Sequence, residues 1–123
     1  MIKGVGCDIV EIERISRAAG NKKFLEKCFS PAEIVVFEQR QSACFLAGNF
    51  AAKEAVVKAA GRGFRGILPR EIEVLRDCLG APYVVITDEA AKNLSVSEDQ
   101  IIHVSISNTK DTAMATAIIE QRP

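Results

Sequence analysis

The chain has 123 residues, 48% of them hydrophobic and 26% charged, which fits one soluble globular domain over residues 1–123. Sixteen basic side chains balance sixteen acidic ones, and zero net charge argues against indiscriminate binding to nucleic acid or to an anionic membrane. No apolar run approaches the roughly 20 residues of a membrane span, and the scattered Cys7, Cys28, Cys44 and Cys78 form no C-x-x-C pair, so reduced thiols in a cytoplasm are expected rather than disulfides or zinc.

"MIKGVGCDIVEI" begins as a strand: Ile2, Val5, Ile9 and Val10 are β-formers, Gly4 and Gly6 allow close backbone approach, and Asp8 falls near the strand's end. "VEIERISRAAG" then places Val10, Ile12, Ile15, Ala18 and Ala19 at helical spacing, with Gly20 as a stop. "KKFLEKCF" reads as a short helical piece. At "SPAE", Ser30 caps, Pro31 takes the first helical position and Glu33 completes a capping box, so a helix runs to about Gln41. The next helix spans about Ala43 to Ala60, with Gly48 loosening its early part and Gly61 ending it, and residues 61–69 form a flexible connection. "REIEVLRD" and "PYVVIT" read as a hairpin, "TDEAAKNL" as a short helix capped by Thr87 or Asp88, and "IIHVSIS" with "TAMATAII" as a second hairpin. This order predicts an α+β fold, with an antiparallel sheet packed against helices.

Three charges interrupt the Ala- and Val-rich central helix: Lys53, Glu54 and Lys58. Glu54 and Lys58 are four residues apart and share a face. Taken alone they are a surface pair, but a carboxylate in so apolar a setting needs a cation, either Lys58 or a metal ion. Asp8 taken alone is a cap for the helix that follows it. Together, Asp8 and Glu54 offer two hard oxygen ligands of the kind that hold Mg²⁺ beside substrate phosphates, and Lys58 is placed to neutralise a phosphate oxygen. Gly61 and Gly63 allow a bulky ligand close to the backbone. Strand alternation puts His103, Ser105 and Ser107 on one face and Ile102, Val104 and Ile106 on the other. That polar face is either simply solvated or a wall for an anionic ligand, where His103 binds phosphate or handles a proton. Arg14, Arg17, Lys22, Lys23 and Lys27 against Glu26 form a local basic surface, suited to an acidic protein partner more than to DNA.

Three blocks, "GVGCDIVEIERI", "FLAGNFAAKEAVVKAAGRG" and "HVSISNTKDTAMATAII", resemble in order the holo-[acyl-carrier-protein] synthases, small bacterial members of the 4′-phosphopantetheinyl transferase superfamily. The resemblance implies the fold of that family and transfer of 4′-phosphopantetheine from coenzyme A to a serine of an apo-acyl carrier protein, in support of fatty acid biosynthesis. It implies Asp8 and Glu54 as Mg²⁺ ligands, Lys58 beside the transferred phosphate, and His103 with Ser105 in the coenzyme A site. Gly61 and Gly63 would shape the coenzyme A cleft. Arg14, with Arg17, Lys22 and Lys23, would dock the carrier. It also implies a homotrimer with active sites between subunits. Relatives commonly carry a basic residue where Asn49 stands and a second histidine where Asn108 stands. A nucleotide contact is therefore expected to be missing or supplied by Arg62 or Arg65. The alternatives are a non-catalytic module that binds coenzyme A or an acidic protein, and an oligomeric scaffold.

Overall fold

The computed structural model describes residues 1–123. Its elements are β1 (Ile2–Glu11), α1 (Ile12–Ala18), α2 (Lys22–Cys28), α3 (Pro31–Arg40), α4 (Ala43–Ala59), β2 (Ile72–Arg76), β3 (Pro82–Ile86), α5 (Asp88–Leu94), β4 (Gln100–Asn108) and β5 (Thr112–Gln121). The expected α+β fold is present. The strands form two antiparallel sheets, a three-stranded one in the order β1-β5-β4 and the β2-β3 hairpin. No helix is long and apolar enough to cross a membrane.

Helix α4 is the axis of the molecule. Its Ala51, Ala52, Ala55, Val56 and Val57 pack on Ala115, Ala117 and Ile119 of β5, and Ile72 and Val74 of β2 close the same cluster. A second cluster joins Phe45, Leu46 and Ala47 of α4 to Ile15, Cys28 and Phe29. Small residues let strand and helix approach closely. A Cβ on Gly4 would lie 1.8 Å from the Ala59 carbonyl oxygen, and one on Gly6 would lie 2.1 Å from that of Ala55. Those glycines therefore exist to seat β1 directly on α4.

The first strand is longer than the helical spacing suggests. Val10 pairs with Ala113 and Glu11 with Thr112, so strand pairing extends through Glu11 and α1 starts at Ile12. Gly48 does not loosen α4. It is buried within an unbroken helix, where a Cβ would meet Ile106 at 2.9 Å. Ser30 and Glu33 form the expected capping box, and Gly61 adopts the positive φ of 74° that ends α4.

Candidate active site

The seat of β1 on α4 brings three of the singled-out residues together. Asp8 lies inside β1, paired with Ala115, and its side chain faces α4. It does not cap α1, whose N-terminus has no side-chain cap. Lys58 Nζ instead donates to Asp8 Oδ1 at 3.0 Å and to the Cys7 carbonyl oxygen at 3.0 Å. An ammonium has three donors, so one remains free for a ligand. Glu54 stands one turn before Lys58. Burial first, and the negative charge of Asp8 second, raise the Glu54 carboxyl above its ordinary range, while Lys58 opposes the shift. The hydrogen bond from Lys58 to Asp8, and then their charge attraction, raise the Lys58 ammonium.

This donor set fits a hard divalent ion. Burial first, and the Asp8 charge second, disfavour ionising Glu54, which a cation between the two carboxylates would relieve. No three His, Cys, Asp or Glu side chains cluster to hold a metal. Asp8 and Glu54 would therefore leave most positions around an ion to water and phosphate oxygens, the arrangement usual for Mg²⁺.

Beyond the end of α4, Ala60, Gly61, Arg62, Gly63, Arg65 and Asn93 line an open cleft of about 630 Å³. Arg62 Nη2 donates to Ser95 Oγ at 3.0 Å, which anchors one guanidinium at its wall. Arg14, Arg17, Lys22 and Lys23 are all exposed on α1 and α2. Arg17 pairs with Glu13 at 2.6 Å and Lys22 with Glu26 at 3.8 Å, whereas Arg14 and Lys23 make no ion pair.

His103 is not part of this cluster within one chain. Ile102, Val104 and Ile106 of β4 pack toward the α4 core, so His103, Ser105 and Ser107 face away from it. Asp8 points toward α4 from the same sheet, so Asp8 and His103 occupy opposite faces. The outer face also carries Val5, Ile9 and Met114, which are 61%, 66% and 42% exposed. Asn108, on the same strand, is exposed at its end.

Two side chains near the cluster have roles that spacing alone did not disclose. Lys53 and Glu33 are fully buried and paired at 2.6 Å. Lys53 Nζ also donates to the Ile72 and Pro69 carbonyl oxygens at 2.5 and 3.1 Å. Burial lowers the Lys53 ammonium, against the attraction of Glu33. Asn49 is equally buried. It donates to Glu33 Oε2 and the Val74 carbonyl oxygen, and accepts from Arg76 Nη2 at 2.8 Å. Position 49 therefore serves the interior in this chain and makes no contact in the cleft. The available signal was the four-residue spacing of Asn49 and Lys53, a polar stripe separate from that of Glu54 and Lys58.

A pair of carboxylates flanked by a lysine thus meets on a small α+β scaffold. The sequence profile of the 4′-phosphopantetheinyl transferase superfamily matches residues 4–117. The holo-[acyl-carrier-protein] synthase of Clostridium botulinum (strain Eklund 17B / Type B) is 48% identical over 122 residues, 98% of each chain. That of Clostridium tetani (strain Massachusetts / E88) is 45% identical over 124 positions, covering 98% of this chain and 97% of the relative. The crystal structure of the Neisseria meningitidis holo-[acyl-carrier-protein] synthase superposes with a TM-score of 0.88 at 34% identity, over 98% of this chain and 100% of that one. The Bacillus anthracis str. Ames synthase, solved in complex with CoA (3′,5′-ADP), gives 0.83 at 34% identity over 98% of both chains. The chain belongs to the 4′-phosphopantetheinyl transferase superfamily and, within it, to the holo-[acyl-carrier-protein] synthase enzymes.

Proposed function

We propose that residues 1–123 act as one domain that transfers 4′-phosphopantetheine from coenzyme A to a serine hydroxyl of an apo-acyl carrier protein, supplying fatty acid biosynthesis. The observation that carries this reading is the junction of Asp8 on β1 with Glu54 and Lys58 on α4. The serine oxygen forms a bond to the β-phosphorus of the pyrophosphate. The bond from that phosphorus to the bridging oxygen breaks, and adenosine 3′,5′-bisphosphate leaves. The serine proton passes to a general base. Such a step depends mainly on positioning and on charge stabilisation.

Asp8 and Glu54 would hold Mg²⁺, which supplies charge neutralisation at the pyrophosphate oxygens when bound. Lys58 is already aligned by Asp8 and the Cys7 carbonyl, and its remaining N–H would donate to a phosphate oxygen. Gly61, Gly63, Arg62 and Arg65 receive the nucleotide end in the cleft that they line. Arg14 and Lys23, which make no ion pair, lead in docking an acidic carrier, with Arg17 and Lys22 behind them.

His103 and Ser105 enter the site from a neighbouring subunit. Exposed Val5, Ile9 and Met114 on their face of the sheet support this, because a contiguous apolar face favours association. A homotrimer placing the outer face of one chain against the Asp8 cluster of the next gives His103 access to the coenzyme A phosphates. The four free cysteines suit the reducing cytoplasm expected for such an enzyme.

The test is direct. The purified protein is incubated with coenzyme A, Mg²⁺ and an apo-acyl carrier protein, and the intact mass of the carrier is measured. A gain of one phosphopantetheine group, lost with EDTA and restored by Mg²⁺, is expected. No gain with several folded carriers, beside a working control synthase, would refute the reaction.

A further inference from the structure

The only histidine of the chain is already engaged. His103 Nε2 lies 2.9 Å from Glu120 Oε1. The β4–β5 register sets His103 opposite Ile118 and Glu120 opposite Ile101, so Glu120 is the diagonal neighbour of His103 on the outer face. An ionised carboxylate only accepts hydrogen bonds, so Nε2 carries the hydrogen and donates. His103 and Glu120 are 52% and 45% exposed, and an ion pair so open contributes little to stability. Its consequence is orientational. With Nε2 committed, Nδ1 is the one ring nitrogen that can meet a ligand.

We infer that Glu120 is a positioning residue for His103: it takes the Nε2–H, fixes the ring, and presents Nδ1 to an anionic phosphate oxygen of the substrate. The inference rests on the proposed function, in which His103 faces coenzyme A across a subunit contact. Nδ1 donates to a phosphate oxygen only in the imidazolium form, and the carboxylate of Glu120 then balances the ring's charge. Ile101 and Ser105 of β4, with Thr116 and Ile118 of β5, are the other near neighbours on that face, and none is charged. Glu120 is thus the group available to do this.

The single histidine makes the test clean. Nitrogen-15 spectra of the full-length wild-type protein, recorded where the ring is neutral, should show hydrogen on Nε2. Glu120→Leu should give a mixture of tautomers, and Glu120→Gln, whose amide oxygen still accepts, should restore the wild-type pattern. With coenzyme A and carrier, Glu120→Leu should raise KM for coenzyme A about tenfold, the loss expected for one charge-assisted contact. In a His103→Ala background the same change should add less than about twofold, because a residue acting through another has nothing left to act through. Hydrogen on Nδ1 in the wild type, or an unchanged tautomer in Glu120→Leu, would overturn the inference. An equal loss with and without His103 would do so too, by showing a structural role. Absence of transfer by the wild type would refute the reaction and the kinetic role together, while the spectra alone would still decide whether Glu120 fixes the ring.

Discussion

Replacing Lys53 with methionine separates what holds α4 in place from what α4 does. Methionine matches the length of the stem and suits the apolar surroundings, but it has no donor. Lys53 Nζ uses all three of its donors, on Glu33 Oε1, the Ile72 carbonyl and the Pro69 carbonyl. After Lys53→Met both carbonyls lose that partner. Glu33 keeps the Ser30 amide, Asn49 Nδ2 and the Val74 amide, but its buried charge loses its cation. Removing one partner of a buried, hydrogen-bonded ion pair costs about 3–5 kcal/mol. Domains of this kind are stable by roughly 5–15 kcal/mol, so the loss is a large fraction of the whole. At about 4 °C per kcal/mol for a chain of intermediate length, Tm should fall by about 10–20 °C. Urea and thermal unfolding measure this. Lys53→Met/Glu33→Leu should lose less than the sum of the two single losses, by more than about 1 kcal/mol. At a temperature where Lys53→Met remains folded, its kcat/KM should stay near wild type. A Lys53→Met protein within about 1 kcal/mol of wild type would refute the reasoning, because the buried charge of Glu33 would then not depend on its partner.

Glu54→Gln should behave in the opposite way. The raised Glu54 carboxyl means that the folded chain holds its proton to higher pH than the unfolded chain, so stability falls as pH rises from the ordinary carboxylate range through the raised value. At neutral pH, without added metal ion, thermal melts should place Glu54→Gln at or above wild type. Its turnover should fall by at least about 10²-fold, since a catalytic ion supplies several kcal/mol. For the wild type, Mg²⁺ affinity measured by calorimetry should weaken as pH falls into that same window, because binding needs both carboxylates ionised. Arg14→Glu should raise KM for the carrier several-fold, with KM for coenzyme A unchanged; a change confined to coenzyme A would remove Arg14 from docking. Ile9→Arg, on the exposed outer face, should lower the mass found by light scattering to that of a smaller assembly and reduce activity with it; an unchanged mass would move the subunit contact elsewhere.

Much of the fold is legible because local chemistry and global packing agree. Ser30, Pro31 and Glu33 announce α3 by themselves, and alternation along "IIHVSIS" fixes which side of β4 faces the core. Val10 shows where spacing misleads. Its place in a helical pattern is genuine, yet pairing with Ala113 keeps it in β1, because a long strand partner outweighs local propensity. The site divides in the same way. Asp8, Glu54 and Lys58 meet where two glycines bring β1 against α4, and the spacing of Glu54 and Lys58 was visible in the chain. That His103 lies across the sheet from them follows only from the register of three strands. Lys53 and Asn49 were hidden for another reason. Their partners come from α3, β2 and the turn at Pro69, contacts 16 to 27 residues distant that no periodicity encodes.

The sequence around Glu54 then has a physical explanation. Adjacent residues on a helix differ by about 100° in direction, so Lys53 and Glu54 leave α4 toward different partners. Lys53 turns inward, where every polar atom it meets is satisfied, and the interior holds no unpartnered polar side-chain atom. Glu54 is half-buried, and burial first and the charge of Asp8 second disfavour its ionised form, with Lys58 opposing them. A half-buried carboxylate beside another costs stability, which other contacts of α4 must offset. The network of Lys53, Glu33, Asn49 and Arg76 ties α4 to α3 and β2. The two sets of contacts are thus distinct, so that Lys53→Met should lose stability with chemistry intact and Glu54→Gln should lose chemistry with stability intact.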